Sequence, residues 1–478
     1  MKKMAYIFLL GVYFITRLPF LVFEPVYYDS FEYVRAISQI DTWHQIPKAI
    51  LSTHQPVHTG YIGIAAFFRV ITHLNPAVLY ASISFISGLI GMSFWYLTLK
   101  HLYKNTAAAF WGTLVFVLFP YFWRSSTNIL YESILTAMQT GTMLMLSIYA
   151  IRRKIKGLIA AIVLFAGAQL VFIGNIFSII PIAVFGLCLK LKKSVLIWAI
   201  SSILLSLLVD YLISGDPTFI TQKYLSHISD TVSPQGGLLL LIARITRNII
   251  VITTAIVYPL PALLSIPALW KLRHDKHIFI MACVFLIFSF MTMQYWHAGN
   301  FGRIGFLVVL PISLILGKLF KDYPLIGIAT SLILIGNVLK LGSQQRQTPY
   351  IHALTTWAKQ TSKENKTSLF VTSDYTRFAY EQTQAYVLVV RNPQNDIDKL
   401  LSDINKIQVQ NGNIFIDSSA LSYPYDLPDG WNYHILSMQN KPQLIRESLT
   451  KDCNLKLYHE YSSFPALTIY QIEHCTKY

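Results

Sequence analysis

Apolar runs of about 17–22 residues recur along the first 341 positions, and that is the length an α-helix needs to cross a bilayer. They fall near 4–23, 78–99, 106–122, 132–151, 157–174, 175–190, 194–213, 248–270, 277–295, 303–320 and 324–341. A chain written this way satisfies its backbone hydrogen bonds inside each run and leaves the apolar side chains for lipid or for neighbouring helices. Composition agrees. Hydrophobic residues make up 54% of the 478 and charged residues only 13%, about half the usual charged share. That excludes a disordered chain and an ordinary soluble domain, and leaves a polytopic membrane protein of about eleven spans.

The loops between the runs alternate in charge. Lys2 and Lys3 precede the first run. Lys100 and Lys104, then Arg152, Arg153, Lys154 and Lys156, then Lys190, Lys192 and Lys193 sit in every second loop. Lys271, Arg273 and Lys276 and finally Lys318 and Lys321 continue the series. Basic residues stay on the cytoplasmic side of a membrane. The N-terminus is therefore expected inside and, with an odd span count, the C-terminal part outside: a multi-pass protein of the cell (inner) membrane. The first run opens Met-Lys-Lys but lacks an Ala-x-Ala cleavage site and carries Arg17 and Pro19 near its outer end, which reads as an uncleaved anchor.

The net charge of +16 does not point to nucleic acid. Residues 1–345 hold 26 Lys+Arg against 10 Asp+Glu, while residues 346–478 hold 13 against 13. The excess thus lies in the apolar part, where it marks loops rather than a nucleic-acid groove. Four cysteines without a C-x-x-C pair exclude a disulfide scaffold and a zinc ribbon.

The composition changes after Gly342. Residues 346–478 alternate short β-rich runs, Ser368–Thr372, Ala385–Val390 and Asn413–Asp417, with helical patterns near 350–361, 376–383, 395–408 and 441–450. Such alternation predicts a small α/β domain with a partly parallel sheet. Two runs close it, Leu455–Tyr461 and Ala466–Ile472, joined by a short turn at Ser462–Pro465. If they form an antiparallel hairpin, facing residues have numbers that sum to about 927. Cys453 and Cys475 sum to 928, which sets them nearly opposite. Either they bridge, as an oxidising compartment permits, or they stay free thiols, since directly opposed positions suit a disulfide only in some geometries. The expected domains are a membrane domain, 1–345, with a first external loop over 24–77, and an extracytoplasmic α/β domain, 346–478.

The polar residues that carry chemistry gather at the outer ends of the spans. The first external loop begins Glu24-Pro25-Val26-Tyr27-Tyr28-Asp29-Ser30-Phe31-Glu32-Tyr33. Asp29 or Ser30 can cap a short helix running to Gln39, and on that helix Asp29, Glu32 and Tyr33 share a face. An oriented, partly desolvated carboxylate takes a proton from a hydroxyl; a capping aspartate with a solvated Glu32 is the structural alternative. Further on, Thr53-His54-Gln55-Pro56-Val57-His58 sets two histidines four apart, but Pro56 between them breaks the helix that a metal pair needs. Histidines in such a loop, His54 and His58, then serve a phosphate or sugar hydroxyl, or are simply polar interfacial residues. Glu132 opens the fourth run. An acid there should face a protein cavity rather than lipid, with Arg124 on the same side as its ion-pair partner or as a second substrate contact. Finally, Tyr295-Trp296-His297-Ala298-Gly299-Asn300-Phe301-Gly302-Arg303 brings a histidine and an arginine to one outer mouth. A guanidinium suits a phosphate; snorkelling is the alternative for Arg303.

Taken together these pieces resemble the GT-C superfamily of polytopic glycosyltransferases, nearest the bacterial and archaeal branch akin to protein O-mannosyltransferases and aminoarabinose transferases. The pieces are Thr16-Arg17-Leu18-Pro19-Phe20 at the end of the first span and Asp29-Ser30-Phe31-Glu32-Tyr33 after it. His54-Gln55-Pro56 with Gly60-Tyr61 is similar to a His-Pro-Pro-like stretch. Glu132 opens a span, Gly302-Arg303 precedes a span containing Pro311, and an external α/β tail follows. Many relatives have Asp-Glu where this chain has Asp29-Ser30, so the second carboxylate is either Glu32 or absent. The resemblance implies transfer of a sugar from a polyprenyl phosphate to a hydroxyl of a glycan, lipid or protein acceptor on the outer face, usually with inversion. It makes Asp29 the base and Arg303, with His297, the holder of the donor phosphate. Glu132, His54, Glu32 and Arg124 contact substrate. No dedicated metal site or other cofactor is read; a divalent metal is an open alternative. Two other classes compete. A transporter or flippase should show polar or broken helices in mid-membrane, whereas here the ionisable residues lie at the outer mouths. A non-catalytic membrane partner would bind lipid phosphate without transfer.

Overall fold

The computed structural model describes residues 2–25, 28–51, 58–216, 252–294, 305–345, 368–373, 386–390, 393–409, 412–421, 453–461 and 467–475, with short helical stretches between 222 and 250, between 353 and 361, and at 447 and 449–451. The chain divides into two compact units: 1–25 with 32–340, and 26–31 with 341–478.

The first unit is helical. Its elements are α1 (Lys2–Arg17), the later part of α2 (Tyr28–Ser38), α3 (Ile46–Leu51), α4 (Thr59–Thr72), α5 (Pro76–Tyr103) and α6 (Thr106–Leu118). Then come α7 (Pro120–Thr127), α8 (Glu132–Arg152), α9 (Ile155–Val171), α10 (Ile179–Cys188), α11 (Lys192–Ser214), α12 (Pro259–Leu272), α13 (Lys276–Gln294), α14 (Gly305–Asp322) and α15 (Pro324–Gln345). The expected apolar runs fall on helix over most of their described residues. Among the described residues, five helices are long and apolar enough to cross a membrane, and a bent pair, α6 with α7, makes a sixth. The apolar helices α4, α9 and α10 are shorter.

Capping chemistry sets the helix ends. Asn75 and Asn105 accept at their side chains from Ala77 N and Ala108 N, opening α5 and α6, as N-caps do. The ends of α5 and α8 are closed by Lys104 and Arg153 in left-handed conformation, each on a basic loop; cations there also suit the negative end of the helix dipole. The bend has a local cause. Pro120 drives the residue before it out of helical geometry, and Phe119 is extended at φ −63°, ψ 133°. The chain turns by 63°, and all eight residues of α7 are carried into the interior. Elsewhere small residues let helices approach. A Cβ on Gly317 would stand 2.6 Å from Ala108 O and 2.9 Å from Gly112 Cα, the close backbone contact through which membrane helices pack.

The second unit contains a five-stranded sheet, β1 (Ser368–Ser373), β2 (Tyr386–Val390), β3 (Asn413–Asp417), β4 (Cys453–Tyr461) and β5 (Leu467–Cys475), in the order β2-β1-β3-β5-β4. The first three strands are parallel and the last two antiparallel, as the alternating pattern predicts. Helix α16 (Pro393–Val409) lends Leu401 and Ile404 to a core with Leu369, Val371, Ile414 and Ile416. Residues one step along each strand face the other way. Phe370 and Phe415 pack on Trp357 at 5.2 Å between ring centroids.

The hairpin has the expected register. Leu455 faces Ile472 and Leu457 faces Tyr470; after a bulge His459 faces Ile469, and Cys453 lies directly across from Cys475. Cys453 is disulfide-bonded, and Cys188 and Cys283 are free, so its partner is Cys475.

Candidate functional site

The described part of the site is built where α2, α4, α5, α8 and the end of α9 meet. Glu132 is the first residue of α8, where the positive end of the helix dipole favours an acid. The turn before it is pinned to α5. Ser84 Oγ donates to Leu130 O at 3.0 Å, and Ser133 Oγ donates to Ser84 O at 2.6 Å. Glu132 is 3% exposed, as expected of an acid that avoids lipid, and its Oε2 has no hydrogen-bond partner among the described residues. The cation whose charge acts on it is Arg124 of α7, itself buried.

Three tyrosines from three elements cluster together, and the charge of this carboxylate acts on two of them, Tyr33 and Tyr61. Tyr33 (α2), Tyr61 (α4) and Tyr80 (α5) are buried, with ring centroids 5.1 Å apart for Tyr33–Tyr61, 5.9 Å for Tyr33–Tyr80 and 4.8 Å for Tyr61–Tyr80. Ser84 has spent its hydrogen on Leu130 O, so Tyr61 Oη is the donor in its 3.2 Å contact with Ser84 Oγ. Burial pushes the Tyr33 phenol well above its ordinary range, and Glu132, Tyr61, Tyr80 and Glu32 push it the same way. Burial also raises Tyr61; its bond to Ser84 opposes this and Glu132 adds to it. Tyr33 and Tyr61 thus lie within electrostatic reach of the carboxylate, and both phenols stay protonated at physiological pH.

His58 completes the wall. It is fully buried, donates from Nδ1 to Val171 O at 3.1 Å, and lies against Tyr131 (4.1 Å) and Phe172 (5.6 Å). Next to it, a Cβ on Gly60 would meet the backbone of Leu170 and Val171 at 2.8 Å, so the chain after His58 lies directly on the end of α9.

The expected site residues fall as follows. Asp29 is the second residue of α2, and Ser30 follows it. The helix begins at Tyr28, so neither residue is its N-cap; Asp29 sits in the first turn, and its side chain lies outside the described residues. Glu32 is buried, with Arg35 Nη2 3.9 Å from its Oε1; it is not a solvated surface acid. Glu32 and Glu132 both act on Tyr33. Arg124 is inside, near Glu132. His54, His297 and Arg303 lie outside the described residues. Among the described residues no group of three or more His, Cys, Asp and Glu side chains could hold a metal ion. Sequence reasoning weighed His58 only together with His54; Tyr61, Tyr80 and Tyr131 were not marked as site residues, and the Gly60-Tyr61 pair after the histidine stretch is the one cue to them.

A scan of protein-family models and a search of curated proteins give no match. Solved structures do match in fold. ArnT from Cupriavidus metallidurans, in the apo state, gives a TM-score of 0.55 at 10% identity over 97% of this chain and 97% of that one. The same protein bound to undecaprenyl phosphate gives 0.55 at 9% identity over 98% and 97%. The archaeal oligosaccharyltransferase AglB from Archaeoglobus fulgidus, in complex with an inhibitory peptide and a dolichol-phosphate, gives 0.51 at 11% identity over 98% of this chain and 74% of that one. At such identities the likeness is one of architecture, and both neighbours are GT-C glycosyltransferases. The chain is a polytopic membrane protein with the GT-C fold.

Proposed function

We propose that this protein is an integral-membrane glycosyltransferase that moves a sugar from a polyprenyl-phosphate donor to an acceptor hydroxyl on the outer face of the membrane. One observation carries the reading: the near full-length match in fold to a transferase solved with undecaprenyl phosphate. The buried acid–tyrosine–histidine cluster agrees with it, because polar groups at helix ends suit a donor whose lipid stays in the bilayer.

In residue terms, the acceptor oxygen attacks the anomeric carbon, the bond from that carbon to the phosphate oxygen breaks, and the configuration inverts. Asp29 takes the proton from the attacking hydroxyl. Arg303, with His297, holds the departing phosphate, whose charge grows as it leaves. Glu132, Glu32, Arg124 and His54 line the cavity. The 346–478 domain is extracytoplasmic in this reading, which the Cys453–Cys475 bridge supports, since disulfides persist in oxidising compartments. The test is transfer by the full-length protein in nanodiscs from a panel of polyprenyl-phosphate sugars, with and without chelator to read metal dependence. A sugar moved to a hydroxyl acceptor supports the reading. Binding of lipid phosphate without transfer from any donor makes the protein a non-catalytic partner instead.

A further inference from the structure

Glu132 Oε2, Tyr33 Oη and Tyr80 Oη are all buried, and none has a hydrogen-bond partner among the described residues. They belong to one cluster: Tyr33 stands among Glu132, Tyr61 and Tyr80. In the same cluster Tyr61 is satisfied by Ser84. Each orphaned group carries a desolvation penalty of about 1–3 kcal/mol. Phenylalanine at 33 or 80 would keep the ring packing and avoid it, so packing does not explain the two hydroxyls.

The chemistry of the three groups selects a ligand. The phenols donate, and the carboxylate accepts. A phosphate asks only for donors, and the Glu132 carboxyl adds an acceptor, so the donor phosphate does not sit here. A cationic ligand is not demanded either, because the charge of Arg124 already acts on that carboxylate. What fits is a neutral polyol, whose hydroxyls donate to an acid and accept from phenols, against a wall of aromatic rings.

Resting on the transferase reading above, we infer that Tyr33 and Tyr80, with Glu132, form the subsite that recognises ring hydroxyls of the transferred sugar and so set its identity. A site that hydrogen-bonds a hydroxyl rejects the analogue lacking it, because its own buried groups are then left unpaired. Tyr33 and Tyr80 are specificity-determining residues in this assignment.

The experiment pairs ligand deletions with side-chain deletions in the full-length protein in nanodiscs. Binding is measured for bare polyprenyl phosphate, for the best-bound polyprenyl-phosphate monosaccharide of the panel, and for the monodeoxy analogues of that monosaccharide. In the parent, at least one deoxy analogue should bind about 10-fold or more weakly. In Tyr33→Phe, Tyr80→Phe or Glu132→Gln that penalty should shrink to under about 2-fold, the non-additivity of two groups in contact. Affinity for bare polyprenyl phosphate should not change. Thermal unfolding should show Tyr33→Phe and Tyr80→Phe at least as stable as the parent, which a structural hydrogen bond would not allow. Equal binding of all deoxy analogues by the parent, as expected if only water meets these groups, overturns the subsite. So does a penalty that persists in all three variants. Neither result touches the transferase reading, whereas failure to bind any polyprenyl phosphate, sugar-bearing or bare, removes both.

Discussion

Arg17 Nε donates to Ser126 Oγ at 2.7 Å, tying the C-terminal end of α1 to α7 across 109 residues of sequence. The rest of the guanidinium is engaged too. Nη1 donates to Thr16 Oγ1 at 2.9 Å, Nη2 donates to Val117 O at 2.6 Å, and the group lies 4.2 Å from the centre of the Tyr13 ring. It bridges both sides of the bend at Phe119, holding α7 where Arg124 can face Glu132. Lysine keeps the charge but cannot reach three acceptors in one plane. Arg17→Lys should therefore lose about 2–4 kcal/mol, since hydrogen bonds to a charged group contribute about 1.5–3 each. Thermal unfolding of the purified protein in detergent reads this; an unchanged midpoint would show that the bend holds without its pin.

The bridge between Cys453 and Cys475 closes the open end of a hairpin whose ladder already aligns the two residues. Mass mapping of non-reduced peptides should recover it in protein from an oxidising compartment. Cys453→Ser should lower the stability of the α/β domain by about 3 kcal/mol, the usual effect of a cross-link over a loop of this order. Free thiols at both positions would refute the pairing.

Gly317 and Gly112 let α14 and α6 meet backbone to backbone. Gly317→Ala puts a methyl where Ala108 O already is. Overpacking of this kind destabilises by about 1–3 kcal/mol. Gly336→Ala is the matched control, because a Cβ there meets nothing within 4 Å and helix propensity alone favours alanine. Equal melting of the two variants would mean that α14 and α6 move apart freely.

Sidedness follows from the basic loops. Cysteines placed at the exposed positions Ser38 and Lys456 should react with an impermeant maleimide on intact spheroplasts, and one at exposed Lys154 should not. Reaction at Lys154 before lysis would reverse the orientation that the charge pattern sets.

Much of the fold was legible because its causes are local. Span length, basic loops and strand alternation are written in consecutive residues, and the hairpin register followed from its turn to within one residue, the difference being taken up at two irregularities in the ladder. The bend at Phe119 was less visible. The run 106–122 stays apolar straight through Pro120, so hydropathy reads one span where the backbone makes two helices. The site was harder for a different reason. Tyr33, Tyr61 and Tyr80 come from α2, α4 and α5, and no periodicity links them; only tertiary packing does. Of the two histidines in the Pro56 stretch, His58 is the one seen buried against α9, and burial against a distant helix leaves no mark on the sequence. Arg17 read as the outer end of an anchor, yet its acceptors lie on α1, α6 and α7. Asp29 was placed at a cap, but its helix begins one residue earlier.

The acid–base assignment gives the last prediction. Asp29 lies in the first turn of α2, where an asparagine is nearly isosteric and equally tolerated beside the helix N-terminus. Asp29→Asn should therefore fold like the parent while losing the proton acceptor. Transfer should fall by about 10²-fold or more, the typical worth of a general base, with donor binding little changed. Arg303→Lys separates the other half of the mechanism. It keeps the positive charge but loses the planar fork that matches a phosphate, so donor affinity should fall, and fall further in Arg303→Ala. Single-turnover transfer and donor-binding titrations on the same preparations tell the two apart: Asp29 acts on the chemical step and Arg303 on the donor. Parent-like turnover in a folded Asp29→Asn protein would remove Asp29 from the reaction, and parent-like donor use in both Arg303 variants would leave that arginine a snorkelling residue.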